Sequence, residues 1–257
     1  MILSAHKTPD YVRALNRYSK HDPFACRILS LYHSYRPDLP FVDYWMLTDD
    51  DGVFTGAAAR NGSCFILFLT DRSDLSEVSA FMRVAGASQV LLNGRYRLDV
   101  EGSETEGVVM KLCRKPEEAT GAGNLVQPAI KAAYEVIVKS AGKGMTPPPF
   151  EDFYVDVNHR LRHGTMRLIG VTDGGKPAAV AMTVAEGGGG AVLGAVACDP
   201  RYRRKGYGTL MVTELCARLS AENKTVYLHR VKDRNAAFYE RLGFEDCGTW
   251  REIRFSR

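Results

Sequence analysis

The spacing of apolar and polar residues predicts alternating strands and helices in the C-terminal part of the chain. A period of two, typical of strands, runs through residues 165–175, 176–190 and 191–200, which glycine-rich turns join, and recurs at 225–231 and 248–257. Helical spacing of apolar residues is found at 125–142, 150–164, 208–224 and 235–244. The pattern predicts an α/β domain that begins near Gly107.

The N-terminal part shows a shorter version of the same order. A helical stretch up to Ser34 precedes predicted strands at 41–49, 53–62 and 63–71, a helix at 73–86 and a strand at 88–94. When the two parts are aligned by their turns, residues 68–77 correspond to residues 197–210 but lack the glycines of that segment. We therefore interpret residues 1–106 as a degenerate repeat of residues 107–257, with an unrelated small α/β lobe as the alternative.

Composition narrows the class of protein. The chain has 257 residues, of which 45% are hydrophobic and 25% charged, as is usual for globular domains. Its net charge of +4 weakly favours an anionic partner and argues against a dedicated nucleic-acid binder. The cations are concentrated between Arg201 and Arg241, so we expect any anion site to lie there.

The six cysteines are far apart, form no CxxC pair and have no histidine at zinc-finger spacing, so we expect reduced thiols and no bound metal. The N-terminus has no signal-peptide pattern, and no uncharged apolar run reaches the roughly 20 residues that span a bilayer. The sequence therefore predicts a cytoplasmic protein without membrane association.

The most informative segment is RRKGYG, residues 203–208, between an apolar strand and an amphipathic helix. A helix N-terminus at such a position offers unpaired amides and a positive dipole end to phosphates. Gly206 and Gly208 lack the Cβ atoms that would keep a phosphate from those amides, and Thr209 adds a hydroxyl. An exposed cationic turn is the alternative. The segment lacks the Lys-Ser/Thr ending of a P-loop and the third glycine of a Rossmann fingerprint, so ATP and NAD are poor candidates.

Two motifs together resemble the acetyl-CoA site of the GNAT family of N-acetyltransferases. CDPRYRRKGYGTLM contains the family pattern R/Q-x-x-G-x-G/A as Arg203, Gly206 and Gly208, and NAAFYERLGF follows at the expected separation. The resemblance covers roughly residues 107–257. It implies the GNAT fold, a mixed and mostly antiparallel sheet flanked by helices, with acetyl-CoA as co-substrate and a degenerate GNAT-like lobe before it.

The resemblance also implies which residues hold the coenzyme. Loop amides would bind the diphosphate, with surrounding charge; these residues are Arg203, Arg204, Lys205, Gly206, Tyr207, Gly208 and Thr209. The backbone of Val196, Ala197 and Cys198 would pair with the pantetheine arm as an added strand does. Arg204 stands where the family most often has glycine, so either its amide is less accessible or its side chain contacts a phosphate.

In the second motif, Asn235 and Tyr239 are four residues apart and lie on one helical face. The resemblance implies that Tyr239 donates a proton to the leaving thiolate and that Asn235 contacts the pantetheine or phosphate region. The alternatives are that Asn235 only caps the helix and that Tyr239 belongs to the core.

The sequence does not identify the base that deprotonates an acceptor amine. Many family members use a glutamate on the strand before the loop, and residues 191–200 contain none. Substitutes to consider are a water chain or one of the side chains Glu186, Asp156, His159, His163 and His229. Cys198 lies near the expected acetyl position but has no activating neighbour in sequence.

The sequence thus predicts direct acetyl transfer from acetyl-CoA to a small-molecule or peptide amine, without a nucleic-acid partner and with a homodimer as a compatible assembly. One alternative is an acyl-CoA sensor with little turnover, which the missing glutamate favours. Another keeps the enzyme but changes the acceptor, as in tandem acetyltransferase-like proteins that modify thiol conjugates or cell-wall precursors.

Overall fold

The computed structural model describes residues 1–5, 10–114, 124–142, 146–232 and 234–256 and confirms the α/β class. The elements of the N-terminal lobe are β1 (Ile2–Ser4), α1 (Tyr11–Ser19), α2 (Pro23–Ser34), β2 (Val42–Thr48), β3 (Phe54–Asn61), β4 (Cys64–Leu69), α3 (Leu75–Val84), β5 (Gln89–Asn93) and β6 (Gly102–Leu112). Those of the C-terminal lobe are β7 (Asn124–Val126), α4 (Ile130–Ser140), α5 (Phe150–Arg162), β8 (Leu168–Asp173), β9 (Lys176–Gly187), β10 (Gly190–Cys198), α6 (Tyr207–Ala221), β11 (Thr225–Val231), α7 (Ala236–Arg241) and β12 (Phe244–Phe255).

Several element boundaries differ from the sequence prediction. The predicted helix at 125–142 is wrong at its start, where β7 precedes a helix that begins only at Ile130, because Pro128 disfavours helical backbone in the residue before it. Strands β6 and β12 both begin earlier than predicted. They pair with each other along their full length, from Leu112 opposite Phe244 to Gly102 opposite Phe255, and no local pattern reveals such a partner.

The helical stretch before Ser34 consists of two helices. Asp22 ends the connection between them, and its Oδ1 accepts hydrogen bonds from the amides of Phe24 at 2.7 Å and Ala25 at 3.0 Å. Pro23 occupies the first helical position, where the amide it lacks would have no partner in the helix. This cap fixes where α2 begins and so how it lies on the sheet.

Among the described residues, the strands form one twelve-stranded sheet in the order β1-β2-β3-β4-β5-β12-β6-β11-β10-β9-β8-β7. The order is symmetric about the β12–β6 pair. In each half, three antiparallel strands are followed by a helix and a parallel strand, β4 with β5 across α3 and β10 with β11 across α6. The shared order supports the interpretation of the N-terminal lobe as a degenerate repeat.

The predicted division between residues 106 and 107 falls inside β6, and β12 from the C-terminal lobe lies between β5 and β6. Each lobe therefore completes its half of the sheet with a strand of the other. The division remains a prediction, since a continuous sheet does not test whether either part folds alone.

Helix α2 belongs to the N-terminal lobe but covers strands of both lobes. It contacts β3 and β4 as well as β9 and β10, and its Phe24 shares a buried cluster with Val192 and Tyr227. Successive strand residues point to opposite faces, and Leu193 accordingly packs against Leu215 of α6 on the other face. Strand β10 thus lies between α2 on one face and α6 on the other.

At the centre of the sheet, the side chains and backbone around Gly107 leave no room for a Cβ atom. Gly107 of β6 lies opposite Trp250 of β12, whose indole donates a hydrogen bond of 3.0 Å to the carbonyl of Arg230 on β11. A Cβ atom at Gly107 would collide with both that indole and that carbonyl. The Trp250 ring can lie across the strand only because no side chain is present at position 107.

We predict that Gly107→Ala lowers the free energy of unfolding by about 1–3 kcal/mol, because a buried sheet cannot make room for the added methyl group without strain. Urea denaturation followed by circular dichroism measures this. The matched control is Gly248→Ala in the neighbouring β12, where a Cβ would meet nothing within 4 Å. Equal stabilities of the two variants would contradict the prediction.

Candidate functional site

Strands β10 and β11 pair only in their first halves and then separate. The parallel pairing runs from Gly190 opposite Thr225 to Leu193 opposite Leu228. Beyond Leu193, the described residues provide β10 with no partner but β9. We call the opening between the rest of β10 (residues 194–198) and the end of β11 (residues 229–231) the fork. Its β10 edge presents backbone groups to which an extended chain can add as a strand.

A bulge shapes the β10 side of the fork. The register with β9 shifts between Gly194 and Ala197, and Ala195 has a left-handed backbone with φ of 47°. After the bulge, Val196 and Cys198 are half-buried and pack toward α6, whereas Ala197 is buried in the cluster that includes α4 and α5. The three residues predicted to pair with pantetheine therefore form the open edge.

The loop after β10 is held at its start by Asp199. Its Oδ1 accepts a hydrogen bond of 3.0 Å from the amide of Arg201, and its Oδ2 accepts one of 2.8 Å from the Arg201 guanidinium. The Arg201 side chain is the main reason that the pKa of Asp199 falls to about 2, with the amide contributing next. The Asp199–Arg201 pair thus fixes the turn by which the chain leaves β10.

Two residues of the loop have left-handed backbones, Arg204 with φ of 66° and Gly206 with φ of 80°. Glycine adopts this region freely, whereas another residue does so at a cost of about 1 kcal/mol. This explains why the GNAT pattern favours glycine at the position of Arg204. The Arg204 side chain is exposed and has no ion pair with any described residue.

The loop ends at an uncapped helix N-terminus. Gly206 is the N-cap of α6 and makes no side-chain capping bond, so the first amides of the helix remain available together with the positive end of the helix dipole. The corresponding helix of the N-terminal lobe differs. There, Oδ1 of Asp74 accepts from the amides of Ser76 at 2.9 Å and Glu77 at 3.0 Å. The carboxylate of that lobe occupies the position that α6 leaves open.

Asp173 at the end of β8 organises the loop from the side. Its Oδ2 accepts hydrogen bonds from Nζ of Lys205 at 2.7 Å and from the hydroxyl of Tyr207 at 2.8 Å. These bonds, with Lys205 first, lower the pKa of Asp173. Sequence analysis did not single out Asp173, because nothing local links it to a loop 32 residues away. The ion pair with Asp173 balances part of the Lys205 charge. The Arg203 side chain has no such counterion among the described residues and donates instead to the carbonyl of Cys198 at 3.3 Å.

Helix α7 brings Tyr239 beside the first turn of α6. A Cβ at Gly208 would lie 3.4 Å from Cζ of Phe238, which places the two helices side by side. Tyr239 is half-buried against Phe238 and Phe244, with ring centroids 4.9 and 5.9 Å away, and burial raises its pKa to about 12. No described residue forms a hydrogen bond with its hydroxyl.

Asn235 precedes α7 with a left-handed backbone, φ of 59°. It is the N-cap of α7, but its side chain makes no capping hydrogen bond. Its carbonyl instead accepts from the amide of Tyr239 at 3.3 Å. The amide group of the exposed side chain remains available for a ligand.

Among the candidate bases, Glu186 has a structural role. It is buried, forms ion pairs with Arg167 at 3.0 Å and Lys224 at 2.7 Å, and accepts a hydrogen bond of 2.8 Å from Thr183. Both carboxylate oxygens are therefore occupied by neighbouring side chains and are not free to meet an acceptor amine.

Three further candidates are also engaged in structural contacts. Asp156 accepts a hydrogen bond of 2.7 Å from Tyr35, and Nε2 of His159 lies 2.6 Å from the carbonyl of Ser34. His163 is exposed at the end of α5, with Nδ1 2.8 Å from the carbonyl of His159. None of these contacts directs the group toward β10.

His229 differs from the other candidates because it lies at the fork. It follows Leu228, the last β11 residue that pairs with β10, and its ring packs between Phe24 at 5.3 Å and Trp250 at 6.3 Å. Burial lowers the pKa of His229 well below its usual value, and its buried Nε2 has no hydrogen-bond partner among the described residues. A neutral imidazole therefore lies at the fork, against Phe24 of α2.

Cys198 has no activating partner among the described residues. Its thiol contacts the carbonyl of Asp199 at 3.6 Å, and burial is the main reason that its pKa is raised. A thiol in these surroundings is a poor nucleophile. All six cysteines are free, and in the described part of the chain no three His, Cys, Asp or Glu side chains converge as a metal site would require. No helix among those residues is long and apolar enough to cross a membrane.

Comparison with known proteins agrees with this geometry. The sequence model of the Acetyltransferase (GNAT) family matches residues 131–244, which include the fork, the loop and α7. No curated protein matches the chain by sequence.

Solved structures with a similar fold align with both lobes of the chain. A GNAT-family acetyltransferase from Colwellia psychrerythraea has a TM-score of 0.57 at 13% identity, with both chains covered completely. A GCN5-related N-acetyltransferase from Sphaerobacter thermophilus has a TM-score of 0.61 at 14% identity and covers 99% of this chain and 94% of its own. A tandem GNAT protein from the clavulanic acid biosynthesis pathway has a TM-score of 0.57 at 14% identity, and the alignment covers 100% of this chain and 99% of that protein. Residues 131–244 therefore form an acetyltransferase domain of the GNAT family, and the chain as a whole has the fold of GNAT proteins.

Proposed function

We propose that the protein transfers an acetyl group from acetyl-CoA directly to the amine of a small molecule or peptide. The observation that carries the proposal is the continuity between the open edge of β10 and the uncapped N-terminus of α6. A ligand with an extended arm and a diphosphate at one end matches both features, because the arm adds as a strand and the diphosphate accepts helix amides.

The coenzyme contacts follow from this placement. Amides of the loop and of the first α6 turn hold the diphosphate, Arg203 and Arg204 add positive charge, and Asp173 keeps the loop in position through Lys205. The pantetheine arm lies along residues 196–198 and brings the thioester into the fork. Thr209 and Asn235 are both exposed beside this path.

The chemical step needs a neutral amine and a stabilised leaving group. The amine nitrogen forms a bond to the acetyl carbon, the carbon–sulfur bond breaks, and the amine proton passes to solvent. Tyr239 has a pKa near 12, whereas a thiol has one of about 8.5, so complete proton transfer to the thiolate is uphill by roughly 5 kcal/mol. We infer that Tyr239 stabilises the developing thiolate by donating a hydrogen bond.

An acyl-CoA sensor with little turnover remains the second candidate. The observation that favours it is that β10 carries no acidic side chain and that Glu186 is held in ion pairs. Release of the CoA thiol in the presence of a panel of amines distinguishes the two. Sustained release with at least one amine supports the enzyme, and coenzyme binding without release supports the sensor.

We predict that Gly208→Leu weakens CoA binding about ten- to a hundredfold, because the side chain stands between the diphosphate and its amides. Calorimetry with CoA measures the affinity. Gly208→Ala is the matched control: it adds only a Cβ and should weaken binding much less than leucine does, since the family pattern accepts alanine at this position. Leucine and alanine are better helix formers than glycine, and a melting curve of each variant checks that the contact with Phe238 has not unfolded it. Normal binding by Gly208→Leu would place the diphosphate elsewhere.

We predict that Tyr239→Phe lowers kcat about a hundredfold and leaves the CoA affinity nearly unchanged. The phenyl ring keeps the packing with Phe238 and Phe244 and loses only the hydroxyl. Steady-state kinetics combined with CoA calorimetry separate the two effects. Unaltered turnover would remove Tyr239 from the mechanism.

A further inference from the structure

Arg27 of α2 is a cation without a counterion among the described residues. Its Nε is buried and has no hydrogen-bond partner, and no described carboxylate forms an ion pair with its guanidinium. Burial is the main reason that the pKa of Arg27 falls to about 10, yet the residue keeps part of its surface exposed. A charge that lies deep in the protein and is still accessible is expected at the end of a pocket rather than in a packed core.

A second guanidinium lies close to Arg27. Arg160 of α5 is buried, donates to Oγ of Ser30 at 3.1 Å and to the carbonyl of Val184 at 2.8 Å, and has an unpaired Nε. Its charge lowers the pKa of Arg27 further. Among the described carboxylates, only Asp156 forms an ion pair with Arg160, 3.7 Å from its Nη1, and none forms one with Arg27. The two cations together therefore have one paired anion.

His229 lies on the other side of Arg27. The Arg27 charge contributes, after burial, to keeping the His229 imidazole neutral, and Nε2 of His229 is the third unpaired buried nitrogen of the group. The described charges of Arg27, Arg160 and Asp156 thus leave one positive charge, and His229 adds none. A single negative charge would balance the group, which favours a carboxylate over a doubly charged phosphate.

The three nitrogens lie at the fork, on the face covered by α2. Val184, whose carbonyl binds Arg160, packs so closely on Gly194 that a Cβ there would collide with it, and Gly194 is the first residue of the open β10 edge. His229 is the first residue of β11 beyond the pairing. The group therefore reaches both sides of the opening that would hold the thioester.

We propose that Arg27 binds a carboxylate of the acyl acceptor, and hence that the acceptors are amines that also carry a carboxylate, such as free amino acids. The inference rests on the proposed function, since it names the substrate class of the same site. Guanidinium binds carboxylate through two parallel hydrogen bonds, which would orient the amine toward the thioester. His229, which lies near Arg27, has a further nitrogen free to form a hydrogen bond.

The test compares substrates that differ only in whether they carry a charged carboxylate or a neutral amide. Initial rates of CoA release with acetyl-CoA are measured for the common amino acids and for the corresponding amino acid amides. We expect a kcat/KM about ten- to a hundredfold higher for at least one acid than for its amide. Arg27→Met should abolish this preference without changing the KM of acetyl-CoA, and Arg27→Lys should retain part of it. Arg17→Met, which removes an exposed cation from α1, is the matched control and should behave as the parent.

A binding measurement keeps this inference separate from the proposed function. The protein saturated with CoA is titrated with N-acetyl amino acids and with their amides. Binding of acids but not amides, lost in Arg27→Met, supports the carboxylate site even if no amine is acetylated, in which case only the proposed function fails. Equal binding and equal turnover of acids and amides would overturn the carboxylate site.

Two further outcomes bear on the assignment. Succinyl-CoA carries its own carboxylate on the acyl chain. If Arg27→Met affects only the use of succinyl-CoA, the carboxylate belongs to the donor and the acceptor assignment is overturned.

Arg27→Met should also raise the melting temperature of the ligand-free protein by about 2–4 °C, because it removes an unpaired buried charge. A lower melting temperature would mean that Arg27 has a structural partner and would count against the proposal.

Discussion

The separation of β10 from β11 is the constraint on which the site depends. Two parallel strands that stop pairing inside a sheet leave backbone donors and acceptors without partners, and such groups are costly unless something else satisfies them. Here the bulge at residues 194–197 keeps the strands apart, and Gly206 leaves the adjacent helix end uncapped. The open edge and the open helix end together form one continuous surface, on which we propose that acetyl-CoA binds with its polar arm and its anionic end.

The N-terminal lobe shows what happens when the same geometry is closed. Its β4 pairs with β5 only as far as Ile66, so the strands separate as they do in the other lobe. There, however, the Asp74 carboxylate caps α3, and the buried Tyr96 reaches Asp71 in the intervening loop at 3.3 Å. The N-terminal lobe thus satisfies its helix end with its own side chains. Its contribution is instead α2, which places Arg27 on the other lobe's fork.

Sequence patterns predicted the elements well wherever the signal was local. Alternation identified β8, β9 and β10, and helical spacing identified α6, because a buried face imposes its own period. Patterns failed where a distant partner decides the structure. The full extent of β6 and β12 depends on their pairing with each other across the two lobes, and β7 is a three-residue edge strand whose residues look helical by spacing.

The sequence by itself determined the fold class and located the loop for which we propose diphosphate binding, because glycine positions, cations and hydrophobic period are properties of short segments. Only the tertiary structure showed that Asp173 holds the loop, that Glu186 is occupied by Arg167 and Lys224, and that Arg27 is without a counterion. Whether a charged side chain is paired depends on residues far away in the chain. That property sets the availability of each group, and it exists only once the chain has folded.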